Sequence, residues 1–197
     1  MLAEDDATSV CSKVVSLIVD VPCHGMNLSH RFPNIHTLTV LSTHKPDLGN
    51  FRRLRHLVTN NMELVSCLAQ RINTLTLIND NGANFKTIIC SHVHHLTISN
   101  FYVNNVNTIT SLMPCFPNLH SLHIQFRSNA AVFRDSLDIL FDVQQRPDFK
   151  LLRTNWIPMD FHDYKSIKMW IADNTELKSR SIPFHGHCDG KSLTVWL

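Results

Sequence analysis

Phe32-Pro33-Asn34-Ile35-His36-Thr37-Leu38-Thr39-Val40 returns further along the chain as Phe116-Pro117-Asn118-Leu119-His120-Ser121-Leu122-His123-Ile124. A segment that recurs with its aromatic, proline and amide in place marks a repeated structural unit, which outranks any local reading of the chain. Between the two copies the skeleton aliphatic-x-x-aliphatic-x-aliphatic occurs three more times, as Leu54, Leu57, Thr59, then Ile72, Leu75, Leu77, then Val93, Leu96, Ile98. Thr59 is the one exception among the skeleton positions. The copies start at Ile35, Leu54, Ile72, Val93 and Leu119, a mean step of roughly 21 residues, within the range of short solenoid repeats. Val14, Leu17, Val19 make a sixth copy one such step before Ile35. Alternation within each copy predicts a short strand, with Leu38 and Val40 inward and Thr37, Thr39 and Leu41 outward. The segments between copies supply the other wall of a core. Leu64, Val65 and Leu68 form one apolar helical stripe, and Val106, Ile109 and Met113 form another. Pro114 and Pro117 are expected to end the latter, because proline lacks the N–H a helix needs.

A period near 21 with this skeleton resembles the leucine-rich-repeat family, whose unit is a short strand, a turn and a helical or irregular return. The resemblance implies an α/β solenoid, curved, with a parallel sheet on its concave side. It covers residues 12–127 directly. That family usually carries Asn or Cys three residues after the last skeleton position, where the side chain ties neighbouring turns together. Here those positions hold Thr43, Met62, Asp80, Phe101 and Arg127, so the turns are expected to vary from repeat to repeat. Starts of the form F-P-N-L-x-x-L resemble the repeat region of F-box proteins, which present substrates to ubiquitin ligases. No F-box is read in these residues.

After Gln125 the period lapses. Asn129 is placed to cap a helix through Gln145, with Phe133, Leu137, Leu140 and Phe141 at helical spacing and Pro147 beyond it. A strand is expected within Phe149–Trp156 and a second helix over Phe161–Ala172, with Phe161, Tyr164, Ile167 and Ile171 on one side. A polar stretch and a loop through Gly186 and Gly190 then lead to a terminal strand, Leu193–Leu197. Solenoids need atypical end units to cover their last open face, so residues 128–197 are read as enlarged final repeats and a cap. The whole chain, 1–197, then makes one leucine-rich-repeat domain.

Composition narrows the function classes. Hydrophobic residues are 44% and charged residues 17%, which suits a folded chain with a sizeable core. The net charge is only +2, so no global field attracts nucleic acid or an anionic membrane. No apolar run approaches the length of a membrane span. Glu4, Asp5 and Asp6 stand where a secretory leader would carry Lys or Arg, which points to the cytoplasm or nucleus. Six scattered cysteines then read as reduced thiols, with Cys67, Cys90 and Cys115 as small buried fillers.

The candidate site is the outward side of the strands. One column runs Ser16, Thr37, His56, Thr74, His95, Ser121. The next runs Ile18, Thr39, Val58, Thr76, Thr97, His123. Small polar groups in continuous rows form a preformed platform suited to one protein partner, and partner binding is assigned to the ten residues from Thr37 to His123 in these columns. The chain is expected to be a monomer in isolation, to need no cofactor and to be no enzyme. It lacks a Gly-rich phosphate loop, a G-x-S-x-G elbow and an H-E-x-x-H helix. The competing reading is an enzyme or metal protein that uses the His-rich face or the loop His185-Gly186-His187-Cys188, whose imidazole and thiolate groups are zinc ligands. His56 and His95 stand two strands apart, about 10 Å at ordinary strand spacing, too far for a tight chelate. His36, His94, His120 and Arg55 are expected at strand entrances, which puts Arg52-Arg53-Leu54-Arg55 on a solvated rim. At least two of Trp156, Trp170 and Trp196 are expected to pack in the core.

Overall fold

The computed structural model describes residues 10–20, 27–41, 51–68, 70–78, 88–126, 130–142, 144–155, 167–177, 183–189 and 192–197. Each skeleton copy forms a strand whose alternation turns its second and third skeleton positions toward the core. In chain order these strands are β1 (Ser16–Val19), β2 (Thr37–Val40), β3 (His56–Thr59), β4 (Thr74–Ile78), β5 (His95–Val103) and β6 (Ser121–Phe126). β7 (Leu151–Thr154) follows, and all seven pair in parallel, each beside its predecessor. Leu17, Leu38, Leu57, Leu75, Leu96, Leu122 and Leu152 fall in one register across them, and all but Leu17 on the edge strand are fully buried. Thr59 substitutes for an aliphatic residue at no polar cost, since its buried hydroxyl accepts from the Asn61 N–H at 3.0 Å.

Helices supply the second wall. They are α1 (Leu28–Arg31), α2 (Met62–Leu68), α3 (Val106–Leu112), α4 (Ala130–Leu140) and α5 (Ile167–Asn174). Asn27 and Asn105 cap α1 and α3 by accepting from the N–H groups of His30 and Thr108. The stripe Leu64, Val65, Leu68 is buried as expected. Cys67, expected to be a buried filler, is exposed, because at about 100° per residue it lies roughly 110° around α2 from the centre of that stripe, outside the buried face. Cys90 and Cys115 are buried, and burial, together with the neighbouring Cys115 sulfur, pushes the Cys90 thiol up to about 11. Pro114 lies inside a short 3-10 turn, Met113–Cys115, that continues α3, where its missing N–H costs little.

The C-terminal third departs from expectation in three ways. α4 ends at Leu140 rather than Gln145, because Asp142 turns the chain by accepting from the N–H groups of Gln144 and Gln145. Its proposed cap Asn129, and also Trp156, Phe161 and Tyr164, lie outside the described residues. α5 runs on to Asn174, with Ile167, Trp170 and Ile171 buried. The expected loop at 185–188 is a strand, β8 (His185–Cys188), paired antiparallel with β9 (Leu193–Trp196). β9 is antiparallel to β7 as well and sits between the two, so the sheet order is β1-β2-β3-β4-β5-β6-β7-β9-β8 and the sheet is not parallel throughout. Gly186 lets β8 lie against α5: a Cβ there would stand 2.8 Å from the Ile167 Cγ2.

One continuous cluster of buried side chains extends from Val19 to Val195. Its C-terminal part is aromatic. Phe126 of β6 meets Phe133 of α4 edge-on at 5.1 Å, and Phe133 lies 6.0 Å from Trp170 of α5. β5 carries the main irregularity. Thr97 faces His123 and Tyr102 faces Gln125, so β5 bulges out around Asn100, which holds a left-handed φ of 59° that asparagine tolerates well.

Candidate functional site

Parity and register together place the ten expected residues on one side of the sheet. Thr37, His56, Thr74, His95 and Ser121 pair in one row, and Thr39, Val58, Thr76, Thr97 and His123 in the next. His95 is exposed and the other nine are half-buried against their neighbours in the rows. Ser16 and Ile18 extend the rows at the β1 edge, where Ile18 is 66% exposed. Thr74 stands between His56 and His95, as two-strand spacing requires.

Two of the face histidines, His56 and His95, are tied to hydroxyls on the next strand. His56 Nε2 lies 3.0 Å from the Thr76 Oγ1, and His95 Nδ1 lies 2.8 Å from the Ser121 Oγ. Burial holds the imidazole of His56 below its ordinary protonation range. His95 is lowered by burial and then by His120 and His94, and His123 by burial and then by Arg153. The face therefore presents neutral imidazoles near neutral pH, each both donor and acceptor, among threonine and serine hydroxyls.

The cap lengthens both rows, which the sequence reading missed. Beyond Ser121 the first continues through Leu151, Trp196 and His185, and beyond His123 the second continues through Arg153, Thr194 and His187. Trp196 is half-buried and stacks on His185, with ring centroids 5.8 Å apart. Only Trp170 of the two described tryptophans packs in the core. Strand alternation in Leu193-Thr194-Val195-Trp196 carried the signal, since burial of Leu193 and Val195 sends Thr194 and Trp196 outward.

The same alternation disperses the cluster His185–Cys188. His185 and His187 are exposed in the rows, while Gly186 and Cys188 turn to the opposite side, so a shared metal would have to bridge two faces of one strand. Among the described residues no three His, Cys, Asp or Glu side chains converge on a point that could hold a metal ion.

The strand entrances form a rim beside the first row. Carbonyls of Val15, His36, Arg55, Asn73, His94 and His120 each accept two N–H groups from the next turn, which stacks the turns in strict order. His94 and His120 stack with centroids 4.6 Å apart. The recurrent asparagines of the Phe-Pro-Asn segments act here. Asn34 donates its amide to the Ser12 carbonyl at 2.7 Å, and Asn118 donates to the Ser91 carbonyl at 2.8 Å. Each bond ties a turn to the preceding one, from a position ahead of the strand rather than after it. Arg52, Arg53 and Arg55 are exposed on this rim, as expected. No helix among the described residues is long and apolar enough to cross a membrane. Comparison of the chain with family models, curated proteins and solved structures finds no match.

Proposed function

We propose that this chain is a leucine-rich-repeat solenoid ending in a cap, a single domain whose outward, concave sheet face binds one protein partner and performs no chemistry. The observation that carries the reading is the pair of unbroken rows, nearly all polar or half-buried, that cross every repeat in register. Such rows come from a scaffold whose side chains are already ordered, so a partner loses little entropy in docking on them. Neutral hydrogen-bonding groups favour a specific protein over a polyanion. The cap end adds Trp196 and Arg153, the residue types that most often anchor protein interfaces. The near-constant step between skeleton copies, strands added in chain order and Phe-Pro-Asn starts support the family reading. By resemblance, the partner is a substrate delivered to an F-box-type ubiquitin ligase in the cytoplasm or nucleus.

The test is affinity capture from cytoplasmic and nuclear extract with the full chain and a His95→Glu/His123→Glu variant. Two carboxylates in the middle of the face should leave the melting temperature near that of the wild type and remove the main partner. Recovery unaffected by that change, but lost on altering Arg52–Arg55, places the interface on the rim and refutes the assignment.

A further inference from the structure

The turns that lead into β3, β4 and β5 stack at one end of the sheet and enclose an open depression of about 540 Å³. Each turn contributes polar side chains to its lining: Arg52 and Arg55, Arg71 and Asn73, His92 and His94. The volume falls within the roughly 300–1,000 Å³ of ligand sites, yet among the described residues the only apolar one in the lining, Ile72, is fully buried. A hydrophobic ligand would find nothing to cover.

The chemistry is that of an anion site. Three guanidiniums, each a planar fork of N–H donors, line one concavity. Among the described residues no carboxylate lines it. All three arginines are exposed, so packing does not explain why cations are gathered on successive turns. Several of the lining groups are already oriented. Arg55 Nη1 donates to the Leu54 carbonyl at 2.9 Å, which anchors one arm of its fork. His94 Nδ1 lies 2.9 Å from the Asn118 carbonyl oxygen, which can only accept, so this nitrogen carries the hydrogen and the ring is held between that bond and its stack on His120. The Asn73 Oδ1 accepts from the Thr74 hydroxyl at 3.2 Å, so the amide keeps its NH₂ donors for other use.

We propose that this depression binds a doubly charged oxyanion of the phosphate class. Guanidinium forks match phosphate oxygens in pairs, and a concave wall of one charge sign concentrates its field on the centre. A long polyanion fits less well, since the net charge is only +2 and among the described residues no Phe, Tyr or Trp lines the site. The site lies on the rim, outside the two rows of the sheet face, and does not depend on what that face binds.

Inorganic phosphate titrated into the ¹⁵N-labelled full chain at constant ionic strength, with chloride as control, tests this. Saturable shifts confined to residues 52–55, 70–73 and 92–94 are expected. Affinity should fall roughly tenfold or more in Arg52→Gln/Arg71→Gln, as loss of charged hydrogen bonds implies. Should that variant melt early, Arg55→Lys, which keeps the charge and removes the fork, should still weaken binding. A phosphoserine tripeptide run in parallel separates the sources: tighter binding than inorganic phosphate assigns the anion to a phosphorylated side chain, and equal or weaker binding assigns it to a free small anion. No saturable shift, shifts spread over all cationic residues alike, or unchanged affinity in the variants overturns the proposal.

Discussion

Gly186→Ala probes the strand that closes the sheet, and the sign of its effect is informative. With free space at that position, alanine would stabilise the protein by about 0.4–1 kcal/mol, because it narrows the unfolded ensemble. The structure predicts the opposite. The new methyl would stand 2.8 Å from the Ile167 Cγ2 and 3.5 Å from the Ile171 Cδ1, whereas carbon atoms pack best at roughly 3.5–4.0 Å. Ile167 is buried at the start of α5 and β-branched, so its methyl has little rotameric escape. Either α5 shifts or β8 lifts from it, and overpacking of this kind costs about 1–3 kcal/mol. In a domain of this size that lowers the melting temperature by roughly 2–12 °C. Urea and thermal unfolding followed by circular dichroism should show the loss. Ile167→Leu removes the branched methyl at nearly constant volume, so in that background Gly186→Ala should cost roughly 1 kcal/mol less. A Gly186→Ala chain as stable as the wild type, or an equal penalty in both backgrounds, would refute the packing of β8 on α5.

Two further outcomes test the sheet. Leu96→Ala should cost about 2–5 kcal/mol, since Leu96 is buried between Leu75 and Leu122, and Thr97→Ala on the outward side less than about 1 kcal/mol; equal effects in urea melts would mean the strand parity is reversed. Acid should weaken the fold through the face histidines: His56, His95 and His123 all have folded-state values below 6.5, so the unfolded chain binds more protons as pH falls. Their contribution is complete above about pH 6.5 and is lost as pH drops through the lower folded values. The melting temperature should therefore fall as the solution is taken from neutral to mildly acidic, and His56→Gln/His123→Gln should flatten the slope; an identical slope in the variant would remove these residues from the account.

The repeat region was legible because its information is local and reiterated. A skeleton position such as Leu75 or Leu122 owes its burial to alternation within its own strand, and the near-constant step sets which strand it meets. All ten face residues followed from that parity alone. The asparagines of the Phe-Pro-Asn segments were visible as a recurrence, but their bonds to Ser12 and Ser91 depend on the preceding turn, distant along the chain.

The cap was legible only in part. His185-Gly186-His187-Cys188 has no Val, Ile, Thr, Phe, Tyr or Trp to mark a strand, and it becomes one because β9 offers a pairing edge and α5 a surface that only glycine can approach. Nothing local says that β9 inserts between β7 and β8, and it is this order that sets Arg153, Trp196 and His187 in line with the histidines of the repeats. The basic depression has the same origin. Arg52, Arg71 and His92 belong to three separate repeats, and only the stacking of successive turns gathers them around one space. The sequence by itself determined the period, the parity and the core of the repeats, because those rest on spacing within a single unit. The tertiary structure alone decided the end of the sheet and the charged rim, because both arise where separate units meet.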